Sequence, residues 1–146
     1  MSFYGCLKKR LLIRINPDAE LSEKEFISAN EDLDRSKHTK DVDKNFKWAI
    51  VQAYYSMFHA AKAVLYLIGL KERSHGCIAD ALEKLSEKGL IQSIVVDQFK
   101  SCMESREDAD YRNVYSEEEA GRNVGAAEEF LKKMRELSKK VKPNEI

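Results

Sequence analysis

Ala53-Tyr54-Tyr55-Ser56-Met57-Phe58-His59-Ala60-Ala61-Lys62-Ala63-Val64-Leu65 decides the fold of this 146-residue chain. The stretch carries one formal charge, Lys62, and is apolar almost all round, so as a helix it must be buried on most sides. The pattern predicts a helix from about Asp41 to Ile68, stopped by Gly69, that forms the centre of the core.

Amphipathic helices are predicted on both sides of it. Ser22 with Glu25 reads as a capping box and Leu21 with Phe26 as its hydrophobic staple; Phe26, Ala29 and Leu33 supply the apolar stripe of a helix that fades near Ser36 to Lys40. Ser74 is placed to cap a third helix, with Ile78, Ala81, Leu82 and Leu85 inward and Gly89 at its end. Ile91, Val95, Phe99 and Cys102 mark a fourth, continuing towards Tyr111. Ser116 with Glu119 opens a fifth, whose stripe is Ala120, Val124, Ala127, Leu131, Met134 and Val141; Gly121 and Gly125, one turn apart, would let a neighbouring helix come close. The expected fold is all-α: an up-and-down antiparallel bundle of four main helices plus an additional N-terminal helix. Residues 1–146 read as one domain, with 1–16 a basic N-terminal segment and 138–146 a lysine-rich tail. In the first segment Leu7, Leu11 and Ile15 share a face apart from Lys8, Lys9, Arg10 and Arg14, and Pro17 closes it; it is either a short helix packed on the bundle or an RNA-contacting arm.

Lys+Arg and Asp+Glu are equal at 25 each, so any anion site must be local rather than a property of the whole surface. Two prolines and six glycines agree with a helical chain, and a charged fraction of 34% is a weak thermophilic signal. Cys6, Cys77 and Cys102 are an odd number without a Cys-x-x-Cys pair, which fits reduced thiols in a cytoplasmic protein. The apolar run from Ala60 to Leu70 is short of the ~20 residues that span a bilayer, and Arg14 ends the N-terminal apolar run too soon for a signal peptide.

Arg106 lies one turn beyond Phe99 and Cys102 on an inward face. Either it pairs with Asp110, four residues on, for ~0.2–0.5 kcal/mol if exposed, or its guanidinium fork is held for phosphate oxygens. On the long helix Asn45, Gln52, Ser56 and His59 share a face, with Tyr55 one turn before His59. This polar stripe must meet a wet cleft, an oligomer interface or polar partners in the bundle. His59 is either a satisfied core histidine or a reactive one; His75, beside Ser74, reads as a cap-region residue, and His38 as a solvated loop residue. Tyr54, Tyr55, Phe58 and Tyr66 read as core or dimer contacts. No metal-ligand spacing, phosphate loop or dinucleotide fingerprint occurs, so neither metal nor cofactor is expected.

The order Ala53-Tyr54-Tyr55-Ser56-Met57-Phe58-His59-Ala60-Ala61, Ser74-His75-Gly76, Arg106-x-x-Ala109-Asp110-Tyr111 and Ser116 resembles the HEPN family in an uncharacterised prokaryotic branch, over about Leu21 to Leu137. The resemblance implies a helical bundle, a homodimer, association with RNA or nucleotides, and frequent pairing with a minimal nucleotidyltransferase as a toxin–antitoxin couple. Many members are metal-independent endoribonucleases with an arginine followed, after four to six residues, by a histidine. Here Arg106 fills the arginine slot, but Tyr111, Arg112 and Asn113 stand where the histidine would be. A tyrosine is a poor general base at neutral pH, and a carboxylate beside an arginine, such as Asp110, is a weak one. His59 or His75 reaching Arg106 across the bundle or from a second subunit is the remaining route to a base. The leading expectation is therefore a dimeric binding or regulatory protein with Arg106, Asp110 and Tyr111 at its site and Gln52, Tyr55, Ser56, His59 and His75 lining the cleft. The alternatives are an endoribonuclease with a non-standard base and a purely structural dimerisation module.

Overall fold

The computed structural model describes residues 1–146. In chain order it contains α1 (Phe3–Lys8), β1 (Leu12–Arg14), α2 (Ala19–Asp41), α3 (Phe46–Ile68), β2 (Leu70–Glu72), α4 (His75–Glu87), α5 (Ser93–Tyr111) and α6 (Glu117–Ser138). It is an all-α bundle with a very small two-stranded sheet. As the apolar stretch requires, α3 is central: fifteen of its residues are buried, and α2, α4, α5 and α6 all pack on it. Tyr54, Met57, Ile50, Leu65 and Ile68 are fully buried, each contributing roughly 1.5–3 kcal/mol by leaving water. Ala53, Ala60, Ala61 and Ala63 are equally buried and leave room for the neighbouring helices. A small separate cluster of Ala49, Ile50, Ala109 and Ala120 with Phe46 closes the end of the bundle where α5 stops and α6 starts. No helix is long and apolar enough to cross a membrane.

Helix starts differ from the expected ones because side chains found tertiary partners. α2 is capped by Asp18, whose Oδ1 accepts from Leu21 N at 2.9 Å, while Ser22 is buried and donates to Ala63 O at 2.7 Å. Glu25 is drawn to His59 and Lys62 instead of closing a box. α3 starts at Phe46 rather than Asp41, with Asn45 as the cap: its Oδ1 accepts from Trp48 N at 3.2 Å, so Asn45 is not a member of the helix's polar stripe. Ser116 does cap α6, accepting from Glu119 N at 3.0 Å, but Glu119 sends its carboxylate to Ser105 Oγ at 2.6 Å and so ties α5 to α6. Val141 lies beyond the end of α6 yet still packs on the core.

The basic N-terminal segment is only partly helical. Arg10 takes φ +57°, the helix has already ended at Lys8, and Leu12–Arg14 pairs antiparallel with Leu70–Glu72 in the register Leu12↔Glu72 and Arg14↔Leu70. Lys8, Lys9, Arg10 and Arg14 remain exposed. The lysine-rich tail returns to the same region, where Asn144 N donates to Ile68 O at 2.9 Å and Arg14 Nη1 to Ile146 O at 3.0 Å. The expectation of three reduced thiols is corrected: Cys6 of α1 is disulfide-bonded to Cys77 of α4, a pairing across 71 residues that spacing could not reveal. Cys102 is free, and burial pushes its thiol up to about 12.

The glycines also divide differently from expectation. Gly121 and Gly125 are exposed, and a side chain at either would meet nothing within 4 Å, so no helix of this chain approaches them. Gly69 is the constrained one, at φ +99° with a would-be Cβ 2.7 Å from Ile15 O. Opposite signs are expected in urea unfolding of the full chain. Gly69→Ala should lose about 1–3 kcal/mol through strain, whereas Gly121→Ala should gain about 0.5–1 kcal/mol of helix stability.

Candidate functional site

Arg106 reaches inward from α5 with its side chain 14% exposed. Its Nη2 donates to Tyr55 Oη at 3.0 Å and lies 3.5 Å from Asp110 Oδ2. The guanidinium carbon is 5.4, 5.9 and 5.1 Å from the rings of Tyr55, Tyr54 and Tyr111, within the range where an aromatic face attracts a cation. The Nε of Arg106 is buried and has no hydrogen-bond partner in the protein. A buried N–H of this kind is costly unless something accepts from it. The Asp110 pair forms, while the Nε takes no part in it.

His75 joins this cluster from the first turn of α4. Its Nδ1 is 2.7 Å from Tyr54 Oη, and its ring stacks on Phe58 with centroids 4.2 Å apart. Burial, followed by the Arg106 charge, holds the imidazole below its ordinary value, which favours the neutral ring at pH 7. Tyr54 is itself pushed up by burial and keeps its proton. With His75 as its sole hydrogen-bond partner, the phenol donates to Nδ1, and the network thereby assigns the remaining proton to Nε2. Nε2–H has no acceptor within the protein. Arg106 and His75 therefore share the Tyr54 ring, each with an N–H that has no acceptor in the protein.

The other expected cleft residues divide between places. Tyr55 stands at the centre, Asp110 is half-buried beside it, and Tyr111 is 71% exposed at the rim. Gln52 is half-buried one turn earlier on α3, with a buried Oε1 that accepts nothing. Ser56 is buried and donates to Ala29 O at 2.8 Å, so it joins α3 to α2 instead of lining a cleft. His59 faces α2, with Nδ1 2.5 Å from Glu25 and Nε2 3.6 Å from Asp32. Lys62 extends that network to Glu25 at 3.4 Å and Glu72 at 3.5 Å. Burial opposes the Glu25 charge, but the His59 hydrogen bond and Lys62 outweigh it and hold the carboxyl below its ordinary value. Tyr54 was expected only as a contact residue; its hydroxyl, and the Phe58 platform, are the parts of the site that periodicity did not mark as chemical.

A helical bundle with an arginine and a neutral histidine on one aromatic wall is the class of protein these features define. The family model of the HEPN domain matches residues 23–139, which covers nearly all of α2 through α6. The chain belongs to the HEPN family, whose function is nucleotide- or RNA-related and whose domains are commonly dimeric. No curated protein matches it.

The lowered His75 titration has a definite sign. The folded state resists protonation more than the unfolded chain, so this contribution to stability is full above the ordinary value of 6.5 and is lost as pH falls below it towards the lower folded value. His75→Gln should flatten the pH dependence of unfolding in that window. Tyr54→Phe should cost about 0.5–1.5 kcal/mol and shift the His75 ring signals in an NMR titration, since the donor that assigns the tautomer is gone.

Proposed function

We propose that the chain is a dimeric, cytoplasmic RNA- or nucleotide-binding regulator, acting as one half of a toxin–antitoxin or nucleotidyltransferase pair, with Arg106 gripping phosphate oxygens. The observation that carries this reading is that Arg106, whose buried Nε has no partner in the protein, and His75 share the ring of Tyr54. Tyr55 and Tyr54 hold the two side chains in place through Arg106 Nη2 and His75 Nδ1, which fixes the orientation of the remaining donors. Exposed Tyr111 at the end of α5, against Arg106, and exposed Val114 and Tyr115 just after it leave apolar surface at this site, which supports a second subunit covering it.

A metal-independent ribonuclease is the second reading, favoured by one fact: His75 shares the aromatic wall with Arg106 although no histidine follows that arginine in sequence. The assigned tautomer weighs against it. Nδ1 already accepts the Tyr54 proton, so the ring offers a donor to the site rather than a free lone pair.

Incubation with mixed RNA in chelator separates the two. Binding that falls with salt, no cleavage, and at least about tenfold weaker binding by Arg106→Ala is the expected outcome, since a charge-assisted hydrogen bond contributes roughly 1.5–3 kcal/mol. Cleavage abolished by both Arg106→Ala and His75→Gln would instead establish the ribonuclease. A folded protein that neither binds nor cleaves RNA or nucleotides, alone or with an added minimal nucleotidyltransferase, overturns both.

A further inference from the structure

The sulfur cluster between α1 and α4 is a second chemically equipped place, and the Arg106 site uses none of it. Cys6 and Cys77 have Cα atoms 5.9 Å apart and are 0% and 2% exposed. Asp80 lies three residues after Cys77, on the same face of α4, and its Oδ2 is 3.3 Å from Cys6 Sγ. The two sulfurs and a carboxylate oxygen all fall within 4.8 Å of one another. A cavity of about 400 Å³ borders Asp80 and is also lined by Met1, Glu83, Lys84 and Glu87. The disulfide does not account for the carboxylate. A bonded sulfur has no hydrogen to donate, so in the oxidised form Cys6 gives Asp80 nothing, and the positive charges near this half-buried carboxylate are the N-terminal ammonium and Lys100. A cation between the sulfurs and the oxygen would give that oxygen a partner.

We propose that the reduced pair and Asp80 form a binding site for a thiophilic divalent cation, with zinc the best match. Cys6 Sγ, Cys77 Sγ and Asp80 Oδ2 supply three ligands, and the bordering cavity has room for water as the fourth. Zinc–sulfur bonds of ~2.3 Å at a tetrahedral angle place two sulfurs about 3.7 Å apart, a modest separation of two side chains whose Cα atoms are already adjacent. Two thiolates with one hard oxygen select zinc over magnesium or calcium. Asp80, Glu83 and Glu87 on the cavity wall stand beside Lys84 and Met1, so the carboxylates are in the majority there.

The chemistry closes without further components. A small-molecule dithiol passes two electrons into the S–S bond, the two sulfurs take up two protons, and the reductant becomes its own disulfide. Zinc then displaces those two protons and forms two S–Zn bonds. The same two side chains thus fasten α1 to α4 in either state, by a covalent bond or through the metal. Cys77 lies two residues after His75, so the fastening acts on the helix turn that positions the candidate site.

The test uses the full chain, reduced, stripped with chelator, desalted without oxygen and titrated with cobalt(II), then zinc. One equivalent of cobalt should produce thiolate-to-metal charge-transfer absorption and the visible bands of a tetrahedral centre, bleached by one equivalent of zinc. Protein oxidised beforehand should show neither. Cys6→Ser and Cys77→Ser should each remove the charge-transfer signal or strongly reduce it, and Cys102→Ser should leave it intact. Asp80→Asn keeps both sulfurs and should weaken zinc binding by more than about tenfold, since loss of even an outer-shell partner costs about 10–100-fold, so the proposal does not rest on variants that disturb the core. Absence of thiolate bands in the reduced protein overturns it. So does zinc affinity that is unchanged in Asp80→Asn, or that survives removal of both cysteines.

Discussion

The Tyr54 hydroxyl is the group on which the arrangement of this bundle turns. Its side chain is wholly removed from water at the centre of α3, and a buried hydroxyl without a partner is costly. His75 Nδ1 at 2.7 Å is the partner, which requires the first turn of α4 to lie against α3 at that height. Gly69, with its left-handed φ of +99°, makes the reversal from α3 possible, and the short strand Leu70–Glu72 carries the chain to His75. Tyr55, the next residue, accepts from Arg106. Two adjacent tyrosines therefore hold a histidine from α4 and an arginine from α5 against one wall.

The accessible stripe of α3 separates two kinds of electrostatics. Towards α5 the charged groups are few and aromatic rings are many: Arg106 lies among Tyr54, Tyr55 and Tyr111, with Asp110 as its one carboxylate. Towards α2 the positive groups are met fully, Lys62 by Glu25 and Glu72, and His59 by Glu25 and Asp32. Breaking either partner of such a partly buried pair leaves an uncompensated charge, so the α2 side is a structural network with little capacity for a further ion. The Arg106 side retains unspent donors. That asymmetry explains why two histidines on one family-like pattern have different uses.

The segment before α2 shows how a short piece of chain is fixed without a long helix. Leu12 and Leu70 are buried within the two-stranded ribbon, Phe3 and Cys6 insert into the core, and the C-terminal residues close over the same edge. None of these contacts is local in sequence. Each becomes favourable only after α3 and α4 have placed Gly69, Leu70 and Cys77.

The bundle was legible in the sequence because hydrophobic periodicity and helix stops are local signals. Ala53 to Leu65 had to be central, Gly69 had to end a helix, and the stripes Phe26-Ala29-Leu33 and Ile78-Ala81-Leu82-Leu85 had to face inward; these are buried as expected, apart from half-buried Tyr55, His59 and Lys62. Arg106 was visible as an inward charge for the same reason. The tertiary structure alone decided the partners. It gave Ser22 and Ser56 to backbone carbonyls of facing helices, turned Asn45 into a cap, paired Cys6 with Cys77, and sent His59 to carboxylates of α2 and His75 to the Tyr54 hydroxyl. Spacing states which side chains share a face of one helix. Which atom satisfies a buried hydroxyl or guanidinium depends on where the other helices bring theirs, and that is a property of the packed bundle.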